Sequence, residues 1–200
     1  MSKNWNYADI QSLIKDEIQE SLTLEYKASD ALGKSDGKKK EITKDVSAMA
    51  NSGGGTLIYG IAEYQDPSRQ HLPEKISPVD QTEFSKEWLE QIINTIRPHI
   101  DGVVITPISI PSAPKDVVYV VDIPQSNTAH QATDWRYYKR FNFSSVPMED
   151  YEVRDVMSRQ QHPIIDLEFQ IEMVTQQYSR SELLPASGEM EERTEYELKV

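Results

Sequence analysis

Glu25 and Lys27 stand two residues apart in the alternating stretch Leu22-Thr23-Leu24-Glu25-Tyr26-Lys27. On a strand, that spacing puts a carboxylate and an ammonium on one outward face. A metal and phosphate site needs this pair: the acid holds Mg²⁺ or Mn²⁺, and the cation neutralises a phosphate oxygen. A surface ion pair has the same spacing. Glu20 lies five residues before Glu25, which on a straight strand means the opposite face and ~16 Å of separation. It joins Glu25 only if the chain bends near Ser21. Glu63 sits just past a second strand, whose end can bring it to the same rim. Lys38, Lys39 and Lys40 open a helix that continues through Lys44, where the macrodipole disfavours cations by ~0.3 to 1 kcal/mol each. An anionic partner would relieve that cost; a solvated basic turn would tolerate it.

Two further groups invite an anionic ligand. From Trp135 to Phe143, one face of an expected strand carries Trp135, Tyr137, Lys139, Phe141 and Phe143, and the other Arg136, Tyr138 and Arg140. The first set reads as core. The second interleaves cations with an aromatic, as single-stranded nucleic-acid platforms do, although a solvated face has the same composition. Gly53, Gly54 and Gly55 follow Asn51-Ser52 and suit either a phosphate-binding nest of backbone amides or a helix C-cap. A relaxed phosphate loop, Ala28-x4-Gly33-Lys34-Ser35, leaves ATP binding as an alternative, with Val117 to Asp122 resembling a Walker B strand. Ala28 replaces the glycine that wraps phosphates, however, and Asp36-Gly37 separates Lys34-Ser35 from the helix. His71, His99, His130 and His162 share no ligand spacing, and neither HExxH nor GxSxG occurs.

The elements that must position these residues follow from periodicity. Ile10, Leu13, Ile14 and Ile18 predict a helix over 9–19 with Asp9 as its cap. A strand over 22–27, a helix from Lys38 to the glycines and a buried strand over 56–62 come next. Residues 64–79 hold three prolines and no periodicity, and read as a loop. Asp80-Gln81-Thr82-Glu83 has capping-box form, predicting a helix through Phe84, Trp88, Ile92 and Ile96. Val103–Ile110 and Val117–Ile123 are joined by too short a link for a crossover and should pair antiparallel. After the strand over 135–143, Ser145-Val146-Pro147 opens a last helix through Val153, Val156 and Met157. Ile165 to Met173 alternate as a half-buried strand, and Tyr196, Leu198 and Val200 alternate likewise. Two strands alone are marginal in water, so this segment is expected to pair with a protein partner or to belong to a truncated second domain.

The 200 residues suit one domain with an appendage, here 1–160 and an acidic 161–200. The net charge of −12 argues against a uniform nucleic-acid binder, but the basic residues cluster at 34–44 and 136–140, so a local basic face can coexist with an acidic whole. No cysteine is present, which excludes disulfides, zinc thiolates and a cysteine nucleophile and fits a reducing compartment. With no apolar leader or span, a cytoplasmic location and no membrane contact are expected.

Three blocks, Glu20-Ser21-Leu22-Thr23-Leu24-Glu25-Tyr26-Lys27, Ser47 through Ile61 with Asn51-Ser52-Gly53-Gly54-Gly55, and Arg136-Tyr137-Tyr138-Lys139-Arg140, together resemble the Schlafen AlbA-like domain family, in family order. The resemblance implies an α+β fold: a mixed, largely antiparallel sheet packed with about four helices, followed here by a C-terminal β segment. It implies a nucleic-acid-binding module and, as in the Schlafen proteins that cleave tRNA and rRNA, a metal-dependent endoribonuclease favouring RNA over DNA. The family's three metal-binding acids fall on Glu20, Glu25 and Glu63, with Mg²⁺ or Mn²⁺ as cofactor. Glu63 replaces the commoner Asp, and Met49 stands where Phe is usual. A single lobe would form a homodimer to rebuild the two-lobed groove, and defence against invading nucleic acid would suit the likeness. A non-catalytic DNA-binding or regulatory module is the alternative.

Overall fold

The computed structural model describes residues 4–159 and the backbone of two later strands, 170–178 and 191–199. The chain divides into two compact units, Met1–Gln161 and His162–Val200.

In the first unit Asn6, rather than Asp9, caps helix α1 (Tyr7–Lys15). Asp9 completes a capping box by accepting from the Asn6 amide, so the helix starts and ends earlier than the apolar spacing alone suggests. The chain then turns tightly, with the Ser21 amide donating to the Leu24 carbonyl at 2.9 Å. This is the bend that Glu20 requires. Strand β1 (Leu24–Lys27), helix α2 (Asp36–Asn51) and strand β2 (Gly55–Tyr59) form a β-α-β unit, with β1 and β2 parallel. Ser35 caps α2. The helix stops where Gly54, at φ +73°, donates its amide to the Met49 carbonyl. An added Cβ on Gly55 would lie 2.5 Å from the Thr23 carbonyl oxygen, so only glycine lets β2 start against the preceding turn.

The expected strand over 56–62 is two strands, β2 and β3 (Ile61–Glu63), broken at Gly60. Residues 64–79 are also more ordered than expected. They hold β4 (Pro73–Ile76), which pairs antiparallel with β3, and begin β5 (Val79–Asp80), which pairs with the later strand β7 (Ala113–Ile123). Neither β4 nor β5 lies in a longer alternating stretch, so neither shows a period. Asp80 does not cap a helix: its carboxylate accepts from the Thr82 amide and hydroxyl at 2.7 and 2.6 Å, making a local turn. Helix α3 (Lys86–Ile93) begins later, capped by Ser85. Strand β6 (Val104–Ile110) pairs antiparallel with β7, as their short link requires.

Strand β7 lies centrally, with β6 on one edge and β2 followed by β5 on the other; β1 lies beyond β2. Its run Val117-Val118-Tyr119-Val120-Val121 is fully buried. Val117, Tyr119 and Val121 join Leu57, Tyr59 and the apolar faces of α2 and α3 in one cluster. Val118 and Val120 join Ile58, Tyr26 and Ile10 of α1 in another. The sheet therefore has core on both faces, which is why this strand reads as continuous rather than alternating hydrophobicity. Each fully buried aliphatic side chain there contributes ~1.5 to 3 kcal/mol.

A hairpin, β8 (Tyr138–Phe141) and β9 (Ser144–Pro147), packs on α2, and α4 (Asp150–Ser158) follows with a Glu149–Glu152 capping box. Ser145 to Pro147 are thus strand, and the last helix opens after them. In the second unit β10 (Gln170–Tyr178) pairs antiparallel with β11 (Glu191–Lys199). The expected strand beginning at Ile165 lies partly outside the described residues. The fold is α+β, with four α-helices among the described residues and a mixed, mostly antiparallel sheet. None of these helices is long and apolar enough to cross a membrane.

Candidate metal centre and nucleic-acid interface

The turn at 21–24 folds Glu20 back over β1, where its Oε1 accepts the Tyr26 amide at 2.8 Å. The Glu20 amide in turn donates to the His71 carbonyl at 2.9 Å, tying this turn to the segment before β4. His71 Nδ1 consequently lies 2.8 Å from Glu20 Oε2 and 3.7 Å from Glu63 Oε2. Ligand atoms from Glu20, Glu63 and His71 all fall within 4.8 Å of one another. The His71 ring stacks on Phe143 at 4.0 Å between centroids, so the β8–β9 turn fixes one face of the imidazole. Burial pushes the Glu20 carboxyl up to about 7, with the negative charge of Glu63 adding to the effect against the Tyr26 amide and His71.

Glu25 occupies a different environment from the one its spacing suggests. It is buried at 3% exposure, with Arg140 of β8 against it and Asp45 of α2 on the far side of Lys27. One oxygen meets Lys27 Nζ at 2.5 Å and the other meets Arg140 Nη1 at 2.7 Å. Arg140 also reaches the Ser21 carbonyl at 3.3 Å, and its side chain is fully buried. Asp45 of α2 extends the network, 3.8 Å from Lys27 and accepting from the Ser145 hydroxyl at 2.9 Å. Burial, then the nearby Glu25, push the Asp45 carboxyl up to about 6. Burial pulls Lys27 down, but Glu25 and Asp45 outweigh it and hold the ammonium above the ordinary lysine value. Glu20 and Glu63 are therefore brought together, with His71 as a third donor and Glu25 committed to two cations.

The cations divide just as unevenly. Lys27 and Lys38 line an open cleft of about 480 Å³ with Glu63, His71, Tyr64 and Gln70. Lys38 donates to the Asp30 carbonyl, Lys39 lies 3.9 Å from Asp36, Lys40 3.0 Å from Asp134, and Lys44 pairs with Glu41. The expected strand over 135–143 is reduced to β8, Tyr138–Phe141, and the expected faces are reversed: Trp135, in the turn before it, and Phe141 are exposed, whereas Tyr138 and Arg140 are buried. The cause is polar anchoring. The Arg140 amide donates to Ser52 Oγ at 2.8 Å, and Asn51 Nδ2 donates to the Tyr138 carbonyl at 2.8 Å. Those bonds turn Tyr138 and Arg140 inward, so neither side chain is open to a ligand, while Arg136 remains exposed. Of the three glycines, Gly54 commits its amide to the end of α2, and Gly55 enters β2. In the 28–35 loop, Lys34 lies over the Phe84 ring, 5.9 Å from its centroid, and Ser35 caps α2.

His71, Asp45 and Ser52 are site residues that spacing did not reveal. His71 is 51 residues from Glu20 in a segment without periodicity, and no local signal announces it. Chemically, two carboxylates and an imidazole suit Mn²⁺ better than Mg²⁺, which prefers oxygen ligands throughout.

Residues 20–149 match the Schlafen AlbA_2 family. Among solved structures, the chain is similar to the DIP2311 protein of Corynebacterium diphtheriae, at 17% identity and a TM-score of 0.49. That match covers 84% of this chain but only 34% of the other, so the chain spans about a third of that protein's length. It is also similar to the N-terminal domain of a RecG-related protein from Nitrosomonas europaea, at 16% identity and a TM-score of 0.42, over 57% of this chain and 72% of that one. No curated protein matches the chain.

Proposed function

The chain belongs to the Schlafen AlbA_2 family, whose membership points to nucleic-acid binding, and from that premise we propose that it is a metal-dependent endoribonuclease domain. The observation that carries this reading is the convergence of Glu20, Glu63 and His71 donor atoms within 4.8 Å. Glu63 and His71 open onto a cleft that also presents Lys27 and Lys38. When bound there, a divalent cation of the Mn²⁺ type supplies charge neutralisation at a phosphate oxygen and activation of water.

The chain's own residues divide the remaining tasks. Glu20, Glu63 and His71 hold the cation, and Phe143 keeps the imidazole in place by stacking. Lys27 and Lys38 meet the phosphate oxygens that enter the cleft. Glu25 is a positioning residue: it fixes Lys27 at the rim and ties β1 to β8 through Arg140. Lys39, Lys40 and Arg136 extend the cationic surface along the approach. RNA is the substrate class that the family likeness favours, and a second copy of the chain would supply the other half of a two-lobed groove.

The test is incubation of the full chain with labelled tRNA and with single-stranded DNA, in Mn²⁺, Mg²⁺ or EDTA, beside Glu63→Gln. Cleavage of RNA in Mn²⁺ that EDTA and Glu63→Gln both abolish, with binding retained, supports the proposal. Binding without any metal-dependent product assigns the domain a non-catalytic binding role instead.

A further inference from the structure

Trp135 is 74% exposed, the most exposed large apolar side chain among the described residues. Its backbone adopts φ +65°, a left-handed conformation that is strained for a tryptophan and persists only where surrounding bonds impose it. Those bonds are present. The Trp135 amide donates to the Ala132 carbonyl at 3.0 Å, its carbonyl accepts from Gln131 Nε2 at 2.9 Å, and the Ala132 amide donates to the Arg136 carbonyl at 3.0 Å. The loop is also fastened to α2, because Thr133 and Thr43 hydroxyls meet at 3.0 Å and Lys40 reaches Asp134 at 3.0 Å. The result is an indole held outward on a fixed loop, with no ring or polar partner for it among the described residues.

Its surroundings are cationic. Arg136 is exposed beside it, and Asp134, the nearby acid, is taken up by Lys40 and by the Tyr138 hydroxyl at 2.7 Å. Trp135 is five residues from Arg140, so their Cα atoms lie within ~18 Å of one another. We infer that Trp135 is a stacking platform for one base of a single-stranded nucleic acid, whose backbone runs past Arg136 and Lys40. An acidic peptide would use the same cations but would offer the indole no flat partner. The inference rests on the nucleic-acid-binding reading and adds to it the strandedness of the ligand and one point of contact.

The experiment titrates the full chain with a 12-nucleotide oligouridine, following tryptophan emission and, separately, fluorescence anisotropy of the labelled oligomer. Trp5 and Trp88 are partly buried, so the change in emission reports chiefly on Trp135. Quenching on binding is expected, with affinity falling roughly tenfold or more in Trp135→Ala and largely restored in Trp135→Phe. A 12-base-pair duplex should bind without this quenching, because its bases are already stacked. Thermal melting confirms that Trp135→Ala is folded, as an exposed side chain allows. Equal affinity of wild type and Trp135→Ala, or equal quenching by duplex, overturns the stacking role while leaving nucleic-acid binding intact. Absence of binding to either oligomer overturns both.

Discussion

Replacing Arg140 with alanine is a demanding test of the packing between β1 and β8. The Arg140 side chain is fully buried, and that of Glu25 is 4% exposed. Truncation removes the 2.7 Å bond to Glu25 Oε2 and the 3.3 Å bond to the Ser21 carbonyl, leaving Glu25 with Lys27 as its remaining cation. Breaking a buried pair by removing one partner costs about 3 to 5 kcal/mol, most of it from the uncompensated charge. For a domain near 160 residues, each kcal/mol is worth ~2 to 4 °C in Tm, so Arg140→Ala should melt roughly 6 to 20 °C below wild type. Glu25→Leu combined with Arg140→Met should recover much of that loss, since apolar replacement of both partners removes the buried charge. Differential scanning calorimetry of the three proteins at low and high salt reads the result. If Arg140→Ala melts within 2 °C of wild type while nucleic-acid binding collapses, Arg140 is a ligand contact and the buried pair described here is wrong.

Asp45 gives a pH test. Its carboxyl is raised to about 6 in the fold from 3.8, so the folded state binds the proton more tightly than the unfolded chain does. The associated stabilisation is full below about pH 4 and is lost as pH rises through about 6, by up to ~3 kcal/mol. Asp45→Asn should therefore melt above wild type at pH 7.5 and level with it at pH 4, in melts run across that range. Asn51→Ala should destabilise by about 3 kcal/mol or more in urea unfolding, because Asn51 donates to the His130 and Tyr138 carbonyls and accepts from the His130 amide, all buried. Gly55→Ala should prevent soluble expression or lower Tm by more than 10 °C, since the added Cβ meets the Thr23 backbone at 2.5 Å.

What the sequence made legible follows the strength of each local signal. The β1-α2-β2 order and the β6–β7 hairpin are visible in the pattern of apolar residues, and α4 in its helical spacing and acidic first turn, although Val156 alone is buried there. The short strands β4 and β5 are not visible, since prolines interrupt them and no alternation extends beyond them, whereas that of β1 begins at Leu22. The turn at Ser21 was legible only as a requirement: Glu20 could reach the rim only through a bend, and the Ser21–Leu24 bond provides one. Hydrophobicity alone points the aromatic residues around β8 inward. Here the Asn51 and Ser52 hydrogen bonds and the Glu25–Arg140 pair set the register instead. Glu25 looked outward for a related reason, as nothing in a lone strand says that a helix and a hairpin will cover it. His71 joins Glu20 through a long-range backbone bond that no spacing encodes.

The central claim is that Glu20, Glu63 and His71, with Glu25 as a positioning residue, form the metal centre. The most direct measurement is calorimetric titration of Mn²⁺ into the full chain and into Glu63→Gln, His71→Ala and Glu25→Gln, each first shown to be folded. The account predicts one site in wild type, loss of measurable binding in Glu63→Gln and at least tenfold weaker binding in His71→Ala. It predicts that Glu25→Gln binds Mn²⁺ within a few-fold of wild type. Loss of binding in Glu25→Gln with full binding in His71→Ala would contradict it.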